Sequence, residues 1–149
     1  MTNEPKQPVV RCKNLTAGYG DVAILEDINL EIYPGEIVTL LGGSGSGKST
    51  LLKTMIGLLP PLSGTVEILG EDLHALDENQ RAKHLQRIGM MFQYGALFGS
   101  QSIYENISLP LREHTDVPEP VIREMVRMKL ALVGLEGLDE RLPSDISGG

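Results

Sequence analysis

The amino-acid sequence predicts an α/β fold, and three observations support this prediction. Residues 37–41 form a β-branched apolar run bounded by glycines, which is typical of a strand covered on both faces in a parallel sheet. A glycine-rich segment follows at residues 42–47, and residues 49–56 then place apolar side chains on one face at helical spacing. Residues 88–92 form a second apolar run of the buried type. We therefore expect buried strands with helices packed against them.

The remaining elements of the first part of the chain are shorter. Alternation of apolar and polar side chains favours a half-buried strand just before the turn at Pro34 and Gly35. In chain order, the patterns predict a strand at residues 9–14, a loop at 15–21, strands at 28–32 and 65–69, and a charged helix at 77–87.

After residue 93 the pattern becomes mostly helical, with helices predicted at residues 101–109 and 118–133. Asp116 and Glu119 have the spacing of a capping box at the start of the second helix. The side chains that recur along one apolar face of this helix are Val121, Met125, Met128 and Leu132.

Composition and charge exclude several classes of function. The formal net charge is −7, whereas a general nucleic-acid binder carries a basic surplus or a basic stripe. No stretch approaches about 18 consecutive apolar residues, and the polar N-terminus lacks the apolar segment of a signal peptide. A single cysteine, Cys12, fits a reducing compartment. We therefore expect a cytosolic protein. The three histidines lack metal-ligand spacing, and we expect their side chains to be exposed; they are His74, His84 and His114.

Residues 42–49 match G-x-x-x-x-G-K-[ST], the pattern of a phosphate-binding loop. Its glycines let successive backbone N–H groups point at one anion, and the helix that begins near Ser49 adds its positive dipole end. Lys48 is placed to reach the β- and γ-phosphates, and the Ser49 hydroxyl is placed to ligate Mg²⁺. A flexible glycine–serine loop with an incidental lysine is the alternative. The preceding apolar run and the following helix disfavour it.

Three further motifs share the order and spacing of a known family. Tyr19 lies 23 residues before the phosphate loop, Gln93 directly follows a predicted strand, and residues 147–149 read Ser-Gly-Gly. From residue 9 to residue 149 the chain resembles the nucleotide-binding domains of ABC transporters. The resemblance implies a P-loop NTPase (RecA-like) core with an antiparallel β subdomain in residues 1–93, and an incomplete α-helical subdomain in residues 94–149.

The resemblance also implies roles for individual residues. Tyr19 would stack on the adenine ring, although a loop tyrosine that covers the sheet edge is the alternative. Gln93 would act with Lys48 in catalysis, join Ser49 at Mg²⁺, and link the nucleotide to a membrane subunit. Residues 147–149 would bind the γ-phosphate held by the other subunit of a head-to-tail homodimer. The residues implied to bind ATP are Tyr19, Gly42, Gly43, Ser44, Gly45, Ser46, Gly47, Lys48, Ser49, Thr50, Ser147, Gly148 and Gly149.

A narrower resemblance concerns residues 95–98 and 110–115, which are similar to the ATPases of the Mla lipid-asymmetry system. It implies phospholipid as cargo, an integral membrane permease as partner, and a cytoplasmic position on the inner membrane through that permease. The net charge predicts no nucleic-acid partner, and the lack of a long apolar stretch predicts no direct membrane insertion. Leu97, Phe98 and Ile103 would either contact the permease or pack the helical subdomain.

Some features depart from the family pattern. Gly43 stands where proline is usual, and Ile146 stands where leucine is usual. The Walker B strand, its catalytic glutamate, the D-loop and the switch histidine would lie beyond Gly149, so we expect these residues alone to hydrolyse ATP negligibly. A soluble ABC protein that acts on DNA or ribosomes, and a non-catalytic nucleotide-binding fragment, are the alternative functions.

Overall fold

The computed structural model describes residues 7–92 and 95–146 of the chain. They belong to two units, Met1–Gly89 and Met90–Gly149. The first unit is built on a β-sheet with two helices, and the second contains two longer helices and connecting turns. The predicted α/β class is confirmed.

An antiparallel sheet organises the first unit. Its strands, in chain order, are β1 (Val10–Tyr19), β2 (Val22–Ile32), β3 (Ser63–Ile68) and β4 (Glu71–Asp72), and the helices are α1 (Lys48–Met55) and α2 (Glu78–Leu85). Strand β1 lies between β2 and β3, so the spatial order is β2-β1-β3-β4. All three strand pairs are antiparallel.

One face of this sheet forms the core against α1. Leu15 and Val66 have no exposed surface, and burying such a side chain contributes roughly 1.5–3 kcal/mol. Burial also raises the pKa of the Cys12 thiol to about 11, so the thiol stays protonated and packs as a small apolar group. The buried members of this core are Cys12, Leu15, Leu51, Met55, Val66, Ile68 and Leu73. Leu51 and Met55 thereby anchor α1, which begins at the end of the phosphate loop.

The other face of the sheet carries a charged cluster on its three longest strands. Arg11 on β1 contacts Glu31 on β2 at 2.7 Å and Glu67 on β3 at 3.2 Å, and Lys13 contacts Glu67 at 2.8 Å. Hydrogen bonds from Tyr33 and then Arg11 lower the pKa of Glu31, and one from Lys13 lowers the pKa of Glu67. Because these pairs are exposed or only partly buried, each adds little stability. They favour the strand order in which the basic residues of β1 lie between Glu31 on β2 and Glu67 on β3.

The first hairpin is longer than predicted. Residues 15–19, expected in a loop, continue β1, and β2 already begins at Val22, which pairs with Tyr19. The strands approach so closely that a Cβ at Gly18 would lie 1.9 Å from the Val22 carbonyl oxygen. The glycine that suggested a loop is required by this close strand contact.

Two predicted parallel strands are wrong. Residues 37–41 and 88–92 form no strand, and among the described residues none pairs with them. Ile37, Leu41 and Met91 are 97%, 88% and 92% exposed. A β-strand requires hydrogen-bonded neighbours to satisfy its backbone groups, and apolar character alone does not supply them.

Helix α2 follows the predicted charged segment closely. Asp77 caps it, with its side chain accepting from the Gln80 N–H while the Gln80 side chain accepts from the Asp77 N–H. The prediction that His84 is exposed is wrong, because it is buried and its Nε2 lies 2.8 Å from the Ile68 carbonyl oxygen. The pair attaches α2 to β3. Because His84 lies in a charged segment of the sequence, the local pattern did not indicate its contact with β3.

The second unit contains α3 (Ile103–His114), α4 (Glu119–Leu132) and a 3₁₀ turn (Pro143–Asp145). Ser102 and Glu105 form a capping box at the start of α3. The two helices bury a common apolar core whose members are Ile103, Tyr104, Ile122, Val126 and Leu130. No helix among residues 7–92 and 95–146 is long and apolar enough to cross a membrane.

Two predictions about α4 are wrong. Pro118 occupies the N-cap without a side-chain bond, and Glu119 instead accepts hydrogen bonds from Tyr104 and Arg112. The predicted apolar face is also displaced, since Val121, Met128 and Leu132 are 48%, 61% and 80% exposed and only Met125 is partly buried. The helix carries two apolar stripes, and periodicity alone could not tell which faces α3.

Acid should weaken the contact between α3 and α4 through Glu119. Hydrogen bonds from Arg112 and then Tyr104 hold the pKa of Glu119 at about 2. Because this pKa is lower in the folded state, the carboxylate stabilises the fold above its unfolded pKa of about 4.3, and the contribution is lost as the pH falls towards 2. Glu119→Gln should therefore flatten the pH dependence of the urea midpoint, followed by circular dichroism, over that range.

The matched control is Glu124→Gln, which removes a carboxylate from an exposed pair with Arg127 on the same helix. It should leave the acid dependence close to that of the wild type. Equal flattening by both substitutions would contradict the role of Glu119.

Candidate nucleotide-binding site

Three backbone N–H groups have no described acceptor where the phosphate loop enters α1. The first helical hydrogen bond runs from the Leu51 N–H to the Gly47 carbonyl oxygen at 2.8 Å. The N–H groups of Lys48, Ser49 and Thr50 precede it, and no described residue accepts from them. They are the unpaired donors of a helix N-terminus, where the helix dipole favours an anion.

These donors border a hollow of about 230 Å³. Its lining consists of Ile24, Gly45, Ser46, Gly47, Lys48, Ser49 and Thr50. Drug-sized ligands occupy pockets of roughly 300–1,000 Å³, so the hollow suits the phosphate end of a nucleotide better than the whole molecule.

Lys48 folds back over the loop. Its ammonium group donates to the carbonyl oxygens of Gly42 at 2.8 Å and Gly43 at 2.6 Å, and to Ser46 Oγ at 3.2 Å. All three contacts lie on the loop that borders the hollow. Phosphate oxygens are stronger acceptors for an ammonium group than neutral carbonyls, so an anion in the hollow can compete for these donors.

Glycine is required at two positions of the loop. Gly45 and Gly47 have φ values of +81° and +87°, a left-handed conformation that other residues adopt at a cost. A Cβ at Gly47 would also lie 2.8 Å from Leu25 Cγ and 3.0 Å from Ile24 Cγ2. At Gly43, where the family pattern has proline, a Cβ would meet nothing within 4 Å.

Ser49 is the residue that fits a magnesium ion. It lines the hollow, and its hydroxyl makes no hydrogen bond to a described residue. No cluster of three or more histidine, cysteine or acidic side chains suited to a metal occurs in the described part of the chain. A hydroxyl beside a phosphate site matches the preference of Mg²⁺ for few protein ligands together with phosphate oxygens and water.

Tyr19 lies at the end of the hairpin that borders the hollow. It is the last residue of β1 and pairs with Val22, and Ile24, two residues farther along β2, lines the hollow. The tyrosine is 48% exposed, which leaves its ring available to a flat ligand. Stacking on adenine stays a prediction.

The other predicted site residues lie outside the described residues. They are Gln93, Ser147, Gly148 and Gly149. The structure thus places residues 45–50 around the hollow, with Lys48 in contact with Gly42 and Gly43. It adds Ile24 and Leu25, which the motif analysis missed. No local pattern could have found these two, because they reach the loop through the unexpected length of β2.

The structure separates the three residues that were predicted either to contact a permease or to pack the helical subdomain. Ile103 is 6% exposed and belongs to the core of the second unit, whereas Leu97 and Phe98 are 54% and 55% exposed. The cause is the start of α3, which turns Ile103 inwards directly after the Ser102 cap.

Comparison with known proteins identifies the family. A family model described as "ABC transporter" matches residues 25–149. The chain belongs to the ABC transporter family. The "Intermembrane phospholipid transport system ATP-binding protein MlaF" of Haemophilus influenzae is 43% identical over 96% of this ABC transporter chain and 54% of its own length. The "Probable ribonucleotide transport ATP-binding protein mkl" of Mycobacterium leprae is 44% identical over 97% of the chain and 42% of its own length.

A solved structure agrees with the ABC transporter assignment. It is the dimeric ATP-binding cassette MJ0796 in a post-hydrolysis state bound to ADP and Pi, at a TM-score of 0.82 and 31% identity. The similarity covers 93% of this chain and 63% of that one. The chain spans about half the length of the curated relatives it matches. The fold predicted from the phosphate loop and its neighbouring motifs is confirmed.

Proposed function

We propose that the protein is the ATP-binding subunit of a transporter and that it hydrolyses ATP to drive phospholipid transport. The observation that carries this proposal is the set of N–H groups of Lys48, Ser49 and Thr50 around one hollow, with the Lys48 ammonium beside it. This arrangement suits a polyphosphate, since fixed donors and a cation require no rearrangement of solvent as negative charge develops.

Each residue has a distinct part in the proposed mechanism. The N–H groups of residues 48–50 hold the phosphate oxygens, and Lys48 leaves its loop carbonyls to neutralise the β- and γ-phosphates. Ser49 and Gln93 would hold Mg²⁺, which supplies charge neutralisation between the phosphates. Tyr19 would orient the adenine, and Gln93 would orient the attacking water.

The proposed assembly is a head-to-tail homodimer bound to an integral membrane permease at the inner membrane. Residues 147–149 of one copy would contact the γ-phosphate held by the other. The dimeric form of the similar ADP-bound cassette supports the dimer in this proposal. ATP would bind the closed dimer more tightly than the open one, which couples nucleotide occupancy to the permease.

Phospholipid is the proposed cargo because a relative with 43% identity is described as part of an intermembrane phospholipid transport system. A ribonucleotide is the second candidate, since a relative with 44% identity is described as a probable ribonucleotide transport ATP-binding protein. The two cargoes differ in solubility, so one experiment can separate them.

The test uses the protein isolated from its native membrane with its bound subunits and placed in liposomes. We expect Mg-ATP, but not its non-hydrolysable analogue, to drive transfer of a fluorescent phospholipid. Uptake of labelled ribonucleotide without lipid transfer would show that the cargo is a ribonucleotide and that it is not a phospholipid. ATP binding with no membrane subunit retained would instead favour a soluble ABC protein, and the absence of ATP binding would refute the proposal entirely.

A further inference from the structure

An exposed apolar pair lies in the loop before α3. Leu97 and Phe98 are 54% and 55% exposed. Residues 88–104 contain no charged side chain, although the chain as a whole is 22% charged and has a net charge of −7. An uncharged loop that presents two large apolar side chains suits an apolar partner surface.

One side chain, that of Asn106 on α3, holds this loop. Its Oδ1 accepts from the Phe98 N–H at 2.8 Å, and its Nδ2 donates to the Phe98 carbonyl oxygen at 3.1 Å. The same Nδ2 lies within hydrogen-bond distance of the carbonyl oxygens of Gln101 at 3.2 Å and Ser102 at 2.9 Å. Both backbone groups of Phe98 are therefore tied to one carboxamide.

The backbone around the pair is held in an unusual conformation. Gly95 and Ala96 have φ values of +74° and +51°, and a left-handed alanine persists only where its surroundings impose it. A turn from the Gln101 N–H to the Phe98 carbonyl oxygen at 3.0 Å closes the loop on the other side. Asn106 contacts both residues that close this turn, Phe98 and Gln101.

Asparagine is suited to this task because it combines an acceptor and two donors in one short planar group. Aspartate keeps the volume and the acceptor but cannot donate to the three carbonyl oxygens. Alanine removes both functions. The two substitutions therefore separate the acceptor contact to the Phe98 N–H from the donor contacts.

We propose that Asn106 is a positioning residue that preorganises Leu97 and Phe98 for contact with the membrane subunit. The inference rests on the proposed function, since it needs a membrane partner. Holding the pair in one conformation before contact lowers the entropy lost on binding. Asn106 then controls association with the membrane subunit while leaving ATP binding unchanged.

The first measurement is hydrogen exchange in Asn106→Ala. We expect the Phe98 amide to exchange at least about tenfold faster, because its acceptor is gone. The Gly95 amide, which donates to the Phe92 carbonyl oxygen at 3.0 Å, should keep its rate, as should the phosphate loop. Asn29→Ala is the matched control, because it removes a side chain that accepts from the Asn14 N–H in the other unit. If Asn106→Ala fails to fold, Asn106→Asp takes its place, and the carbonyl contacts are then followed through the Gln101 amide.

The second measurement is the fraction of protein retained with its membrane subunits after isolation from membranes. Asn106→Ala and Phe98→Ala should each lower it about fivefold, and the double variant should fall no further than Phe98→Ala alone, because both act on one contact. The affinity for Mg-ATP should be unchanged in all three. Asn29→Ala should retain the wild-type fraction.

The outcomes separate the inference from the proposed function. Unchanged Phe98 exchange in Asn106→Ala would overturn the inference, as would unchanged Gln101 exchange where Asn106→Asp is the variant used. The inference would also fail if Asn106→Ala speeds exchange but keeps the wild-type fraction of membrane subunits, while Phe98→Ala lowers that fraction. The proposed function would still stand in that case. If the wild-type protein binds ATP but retains no membrane subunit, the proposed function fails and this inference fails with it.

Discussion

Replacing Lys48 with alanine should weaken binding of Mg-ATP by roughly 10- to 150-fold. The ammonium group is the only side-chain cation that lines the hollow described around residues 45–50, and hydrogen bonds to charged groups contribute roughly 1.5–3 kcal/mol. The loop itself should survive, because the contacts of Lys48 to Gly42 and Gly43 are exposed. Calorimetric titration with Mg-ATP measures the affinity, and thermal unfolding checks the fold.

Lys53→Ala is the matched control for this prediction. Lys53 lies in the last turn of the same helix and does not line the hollow, so the substitution removes the same charge from α1 at a distance from the phosphates. Its Kd for Mg-ATP should stay within about twofold of the wild type. Equal losses in both variants would show that the net charge of α1 matters, and that direct contact with phosphate does not.

The parts of the fold that sequence reasoning predicted correctly are those in which local chemistry decides. The start of α1 follows from the glycine-rich segment that ends at Gly47, and the start of α2 follows from Asp77, whose side chain caps the helix. In both cases the interacting groups lie within a few residues of each other. Short-range geometry then limits the possible structures to one.

The parts that it missed depend on contacts between distant residues. Residues 37–41 have the composition of a strand, but a strand forms only beside another strand, and composition does not name its neighbour. The position of Ile24 also depends on strand pairing, because Ile24 lines the hollow only since β2 pairs with β1 as far as Val22. His84 was misjudged because its partner, the Ile68 carbonyl oxygen, belongs to a strand 16 residues away.

Replacing Gly47 with alanine should both destabilise the first unit and weaken ATP binding. The φ of +87° imposes roughly 1–2 kcal/mol of backbone strain on any other residue. The new Cβ would also lie 2.8 Å from Leu25 Cγ and 3.0 Å from Ile24 Cγ2, and such overpacking adds roughly 1–3 kcal/mol. Because Ile24 is a wall of the hollow, relief of this clash must change the shape of the phosphate site. Urea unfolding and titration with Mg-ATP measure the two effects.

Gly45→Ala separates backbone strain from the clash. Gly45 has a similar φ of +81°, but a Cβ there would meet nothing within 4 Å. It should therefore lose only the roughly 1–2 kcal/mol of the left-handed conformation, and keep Ile24 and Leu25 in place. If both variants lose equal stability and equal affinity, the packing of β2 against the loop is irrelevant to the site. If Gly47→Ala loses clearly more, the hairpin is part of the phosphate-binding apparatus although it lies outside the sequence motif.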